Sequence, residues 1–194
     1  MRSRKFISIF MLSASLLMPR AVQAEVLEVV VIWNSISCNE KCAQILAKSF
    51  QKMKQVQEVR VNPTSGITIL KWKPKSAFSY YPIKSTMQMI GVGVNDIRVK
   101  VRGKAKEQGN EVALFSLEDN TRFVLVSPIT PLPEDYTVNP NPYDRSLSSD
   151  LRERILQEVK QDKVLVIEGP LYQPAKSPPL QLVVERIQIE KKKN

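Results

Sequence analysis

Residues 25–62 read EVLEVVVIWNSISCNEKCAQILAKSFQKMKQVQEVRVN, and the succession of patterns within them decides the fold class. Val26 to Trp33 is dense in β-branched residues, which suit a buried strand. Asn34 to Ser37 is polar and breaks that strand. Ser37-Cys38-Asn39-Glu40 fits a capping box, with the Ser37 hydroxyl on the N3 amide and Glu40 reaching back. A helix is therefore expected from about Cys38 to Lys54. Its apolar positions, Cys42, Ile45, Leu46, Phe50 and Met53, form one stripe at helical spacing, while Lys41, Lys48 and Lys52 lie off it. Glu58 to Val61 then returns to the strand pattern.

Next in the chain, Asn62-Pro63-Thr64-Ser65-Gly66 is a turn, and Ile67 to Trp72 completes a hairpin. Pro82 suits the first position of a second helix. Ile83, Met87 and Ile90 give that helix one apolar face, and Gly91 ends it. Asp96 to Val101 is a fourth strand. The order β-α-β-β-α-β over residues 25–102 predicts an α+β, ferredoxin-like domain.

This half resembles the heavy-metal-associated (HMA) domain of copper chaperones and metal-transporting ATPases. Reading on from Cys42, the positions Ala43, Leu46, Phe50, Met53, Val56, Val59 and Val61 keep that family's register without a gap. In its metal loop Ile36 stands at the family's Met, and Asn39-Glu40-Lys41 separates the cysteines where the family has two residues. Gln55 replaces a family Gly. The resemblance implies a soft-metal site at Cys38 and Cys42, with Cu(I) as the cargo.

The residues themselves leave three chemistries open for Cys38 and Cys42, the only cysteines in a chain that has no histidine. On one helix face an i,i+4 pair has Cα atoms about 6 Å apart, within disulfide range. Two thiolates at that spacing also suit Cu(I). Zinc would call for four ligands, which the sequence does not supply. Two inert thiols, with Cys42 in the core, are the third outcome.

The second half, residues 103–190, predicts a small barrel. The fourth strand runs on through Val99, Val101 and Gly103 to about Lys106, with the glycine as a bend. Val112 to Leu117 and Arg122 to Ser127 are strands. Five prolines between Pro128 and Pro142 rule out a helix there and indicate an extended surface loop. Asp150 and Glu153 start a helix with Leu151, Ile155, Leu156 and Val159 on its apolar face. Val164 to Glu168 and Leu180 to Ile189 are the last strands, joined through Gly169-Pro170 and Ser177-Pro178-Pro179. Three strands, one helix and two strands is the order of an OB-fold, and the half resembles that superfamily in this order and in its V-x-V-x-G opening.

Charge separates the halves. Residues 25–102 hold 12 Lys+Arg and 5 Asp+Glu, net +7, whereas residues 103–194 hold 13 and 14, net −1. The barrel half therefore lacks the positive groove that single-stranded nucleic acid requires, and Phe115, Phe123, Tyr136, Tyr143 and Tyr172 are its only aromatics. Lys71-Trp72-Lys73-Pro74-Lys75 is a basic run with one aromatic, read as a solvated strand end. The sequence has no carboxylate pair, nucleophile elbow or phosphate loop, so an enzyme is not expected.

Residues 1–24 have the three parts of a secretory signal: Arg2, Arg4 and Lys5, the uncharged run Phe6 to Met18, and small residues ending at Ala24. The apolar run is shorter than the roughly 20 residues that cross a bilayer. Residues 191–194 are expected as a frayed tail. The expectation is thus an exported, periplasmic or secreted, non-enzymatic binding protein without a transmembrane segment in its mature chain. It would either hold a soft metal through Cys38 and Cys42, or act in the envelope with the two cysteines paired. An envelope protein, peptide or glycan is the kind of partner expected, and nucleic acid is not.

Overall fold

A computed structural model of the chain describes residues 25–116, 119, 121–128, 146–176 and 178–190. The proposed signal, most of the proline-rich segment with Tyr136 and Tyr143, and the tail lie outside the described residues. Among the described residues the fold is mixed α+β and is dominated by one nine-stranded sheet with three α-helices.

Strand β1 (Glu25–Trp33) lies between β3 (Ile67–Trp72) and β4 (Val94–Gln108), antiparallel to both. Strand β2 (Val56–Asn62) pairs with β3 across the Asn62–Gly66 turn, so the order is β2-β3-β1-β4. Val26 and Val29 both face the core although three residues apart, which strict alternation forbids. A register shift between Val26 and Glu28 supplies the extra residue.

In the chain, helix α1 (Glu40–Gln51) connects β1 to β2, and helix α2 (Tyr80–Met89) connects β3 to β4. Leu46 and Phe50 of α1 and Ile83 and Met87 of α2 share one apolar cluster with Val29, Val31 and Leu70 of the sheet. The buried face of α1 is Ala43, Leu46 and Phe50. Ile45, expected on the apolar stripe, is 54% exposed, because the burying face centres on Leu46 and turns Ile45 outward. Pro82 is the third residue of α2 rather than its first, since Ser79 holds the N-cap position.

β4 is 15 residues long and continues past this half. Its later residues, Lys104 to Gln108, pair with β5 (Glu111–Phe115), and β5 pairs with β6 (Arg122–Val126). Helix α3 (Ser149–Lys160) precedes β7 (Leu165–Tyr172), which returns to pair with Arg98–Gly103 of β4. Strand β8 (Leu180–Val183) runs parallel to β6 and antiparallel to β7. The strands β4-β5-β6-β8-β7 thereby close into a ring. Val101, Leu114, Phe123, Leu125, Ile167 and Leu182 fill it, with Ile155 of α3 in the same cluster.

Two expectations at this end are corrected. Gly169-Pro170 is not a joint but lies inside β7. Pro170 lacks an N–H, and it occupies the last rung of the β4 ladder, opposite Arg98, where least pairing is lost. The stretch Leu180 to Ile189 divides into β8 and β9 (Arg186–Ile189), both paired to β7 but one residue apart in register. That offset is a bulge, and it buries Leu182, Val183 and Val184 in succession. Gly169 sits against it: a Cβ there would lie 1.8 Å from the Val183 carbonyl oxygen.

Candidate functional site

The Cys38 and Cys42 sulfurs are bonded to each other, with Cα atoms 5.2 Å apart. They do not meet as an i,i+4 pair on one helix. Cys38 is extended backbone (φ −149°, ψ 105°) just ahead of α1, and Cys42 is the third helical residue. Between them Asn39 caps the helix, its Oδ1 accepting from the Cys42 amide at 3.1 Å. The cap is therefore Asn39 and not Ser37. Asn ranks among the strongest N-caps, and its side chain reaches the N3 amide at this spacing. That preference is the signal in the sequence that would have placed the helix start.

The loop ahead of the disulfide is fixed at both ends. Ser35–Ser37 forms a 3₁₀ turn, and Asn34 Oδ1 accepts from the Ile36 amide at 3.1 Å. The Trp33 amide donates to the Gly66 carbonyl at 2.8 Å, tying the loop to the β2–β3 turn. Gly66 has φ +63°, and a Cβ on it would lie 2.1 Å from the Trp33 carbonyl oxygen, so only glycine admits this approach. Beneath it, Trp33 Nε1 donates to Thr68 Oγ1 at 3.0 Å, which satisfies two buried polar groups at once. Cys38 is buried and Cys42 half-buried, while Ile36 is 92% exposed and Lys41 is exposed.

In the bonded state neither sulfur is a thiolate, the form that binds a soft metal. Reduced, the pair would offer two sulfur donors. Among the described residues no group of three or more His, Cys, Asp or Glu is placed to hold a metal. A two-sulfur set fits Cu(I) better than a four-ligand ion.

The outer face of the sheet is a second charged region, and reasoning from sequence did not find it. Cross-strand register sets Glu58 beside Lys71, Lys71 beside Glu28, Glu28 beside Lys100, Lys100 beside Glu168 and Glu168 beside Arg186. The row alternates in sign across six strands, the arrangement that favours neighbouring pairs on one face. An open groove of about 290 Å³ lies there, lined by Leu27, Glu28, Glu58, Arg60, Ile69, Lys71 and Lys100. Glu58 Oε1 accepts from Arg60 Nε at 2.7 Å. That hydrogen bond and the guanidinium charge hold the Glu58 carboxyl below its ordinary range and push Arg60 up.

The basic run at Lys71 to Lys75 presents its lysines and not its aromatic. Trp72 is buried, donates from Nε1 to the Ser76 carbonyl at 3.0 Å and meets Phe78 at 5.4 Å between ring centroids. In the ring, Phe123 is fully buried and Phe115 half-buried, with Lys106 Nζ 5.7 Å from the Phe115 centroid. No helix among the described residues is long and apolar enough to cross a membrane.

Compared with protein-family models, curated proteins and solved structures, the chain matches none of them.

Proposed function

We propose that this chain is an exported, non-enzymatic interaction protein of the cell envelope whose Cys38–Cys42 pair is a disulfide in the working state. An HMA-like, ferredoxin-like arrangement over residues 25–102 is followed by an OB-like barrel over residues 103–190. The strand order β2-β3-β1-β4, with two helices on one face, supports the first part. The ring β4-β5-β6-β8-β7, with β6 and β8 parallel and α3 between β6 and β7 in the chain, supports the second. The observation that carries the functional reading is the Cys38–Cys42 bond itself. Disulfides persist in oxidising compartments, which agrees with the secretory signal read at residues 1–24. The partner is a protein, peptide or glycan of that compartment.

Alkylation tests this directly. Protein taken from its native compartment into excess alkylating agent gains no adduct by mass spectrometry until a reductant is added, and then gains two. Two adducts without reductant overturn the disulfide reading.

A second reading is favoured by the same geometry. Reduction would leave two sulfurs at the start of α1, Cys38 just ahead of the helix and Cys42 in its first turn, a donor pair that suits Cu(I). Titration of the reduced protein with Cu(I) against a competing chelator separates the two readings: one equivalent held, and lost in a Cys38→Ser, Cys42→Ser variant, favours metal handling.

A further inference from the structure

Two strands end the sheet, and they differ in how their edges are protected. β9 has only four residues. Short edge strands and lysines blunt an edge against further pairing. β2 has seven residues, VQEVRVN, three of them valine, with neither Lys nor Pro; a register shift between Val56 and Glu58 leaves residues 58–62 as its regular part, and this is the part that carries both charges. One of its edges is taken by β3, and among the described residues no strand takes the other. Such an edge presents unpaired N–H and C=O groups as a template for a further strand.

The charges on β2 choose what that strand is. A paired strand must set outer-face residues opposite outer-face residues, or every side chain changes face. Antiparallel pairing with a second copy about a twofold axis has three central registers that meet this condition. An axis at Glu58 sets Glu58 opposite itself, and one at Arg60 sets Arg60 opposite itself, each a like-charge contact. An axis at Val59 sets Glu58 opposite Arg60 of the second copy twice, with Val59 opposite Val59. It also continues the alternating row, since Arg60 of the second copy follows Glu58 as Glu58 follows Lys71. Glu58 and Arg60 are already neighbours on this face at 2.7 Å and well exposed, so the exchange needs only side-chain movement.

We propose that two copies of this chain join through β2, antiparallel about a twofold axis at Val59, into one continuous sheet. This is independent of the state of the cysteines. Sedimentation equilibrium tests it on the whole chain. The wild type forms a concentration-dependent dimer, and Glu58→Arg and Arg60→Glu each weaken it about tenfold or more, because each sets like charges together at both crossings. The double variant Glu58→Arg, Arg60→Glu restores wild-type dimerisation. A wild type that stays monomeric, single variants that dimerise unchanged, or a double variant that fails to recover overturns the proposal. Amide exchange gives a second reading: exchange in β2 slows as protein concentration rises, and concentration-independent exchange counts against the pairing.

Discussion

Glu58 and Arg60 stand two residues apart on β2 and close a hydrogen-bonded ion pair on the solvent face. Such exposed pairs contribute little to stability, but they leave a titration signature. Because the folded pKa of Glu58 lies below its unfolded value, its contribution is present above the unfolded pKa and is lost as pH falls through the folded one. In a carbon-13 NMR titration Glu58 therefore titrates below the ordinary glutamate range, and Arg60→Gln returns it to that range. A Glu58 midpoint unchanged by that substitution would assign the shift to another group. Residue by residue, legibility in the sequence was uneven. Cys38 and Cys42 were visible as the reactive pair, and their bonding was one of three open outcomes. Ile45 was placed on the wrong side of α1, since a stripe at helical spacing does not say which of its edges touches the sheet. The charged row from Glu58 to Arg186 was not legible at all. Its members come from six strands and meet only through register.

Each helix and strand of the first half was legible, because capping residues, turn residues and apolar period agree locally. The start of α1 was misplaced because Ser37 and Asn39 both offer a capping oxygen, and the extended backbone at Cys38 excludes the earlier one. The elements of the last third were harder. Gly169-Pro170 has the composition of a turn, and only the tertiary pairing of β7 with β4 draws both residues into a strand. The offset between β8 and β9 makes Gly169 the hinge of that arrangement, with the Val183 carbonyl 1.8 Å from where a Cβ would stand. Gly169→Ala must displace the β8–β9 backbone and is expected to cost about 3 kcal/mol, near the upper end for overpacking. Urea unfolding measures it; a change within the few tenths typical of surface substitutions would mean that the bulge yields freely.

On the scale of the whole molecule, β4 belongs to both halves. Residues 94–102 pair with β1 on one side, residues 98–103 pair with β7 on the other, and its last five residues pair with β5. Phe50 of the first half and Phe123 of the second lie in one apolar cluster. Phe78 bridges them, its ring 6.0 Å from that of Phe123 and its amide donating to Thr121 Oγ1 at 3.1 Å. Phe50→Ala and Phe123→Ala are each expected to cost about 3–5 kcal/mol. Both should lower a single unfolding transition seen alike by tryptophan fluorescence and far-ultraviolet circular dichroism. Since Trp33 and Trp72 both lie in the first half, a Phe123→Ala transition that moves in circular dichroism but not in fluorescence would show that the halves unfold separately. The sharing of β4 also sets an order in time. The ribosome finishes β1, β2, β3 and β4 well before it reaches Leu165, the first β7 residue to pair with β4. At a synthesis rate of ~5–20 residues per second, one flank of the central strand waits several seconds for its neighbour. A nascent chain of this design has reason to be held by a chaperone through that interval, and stalling translation between residues 110 and 160 should give the species most prone to aggregate.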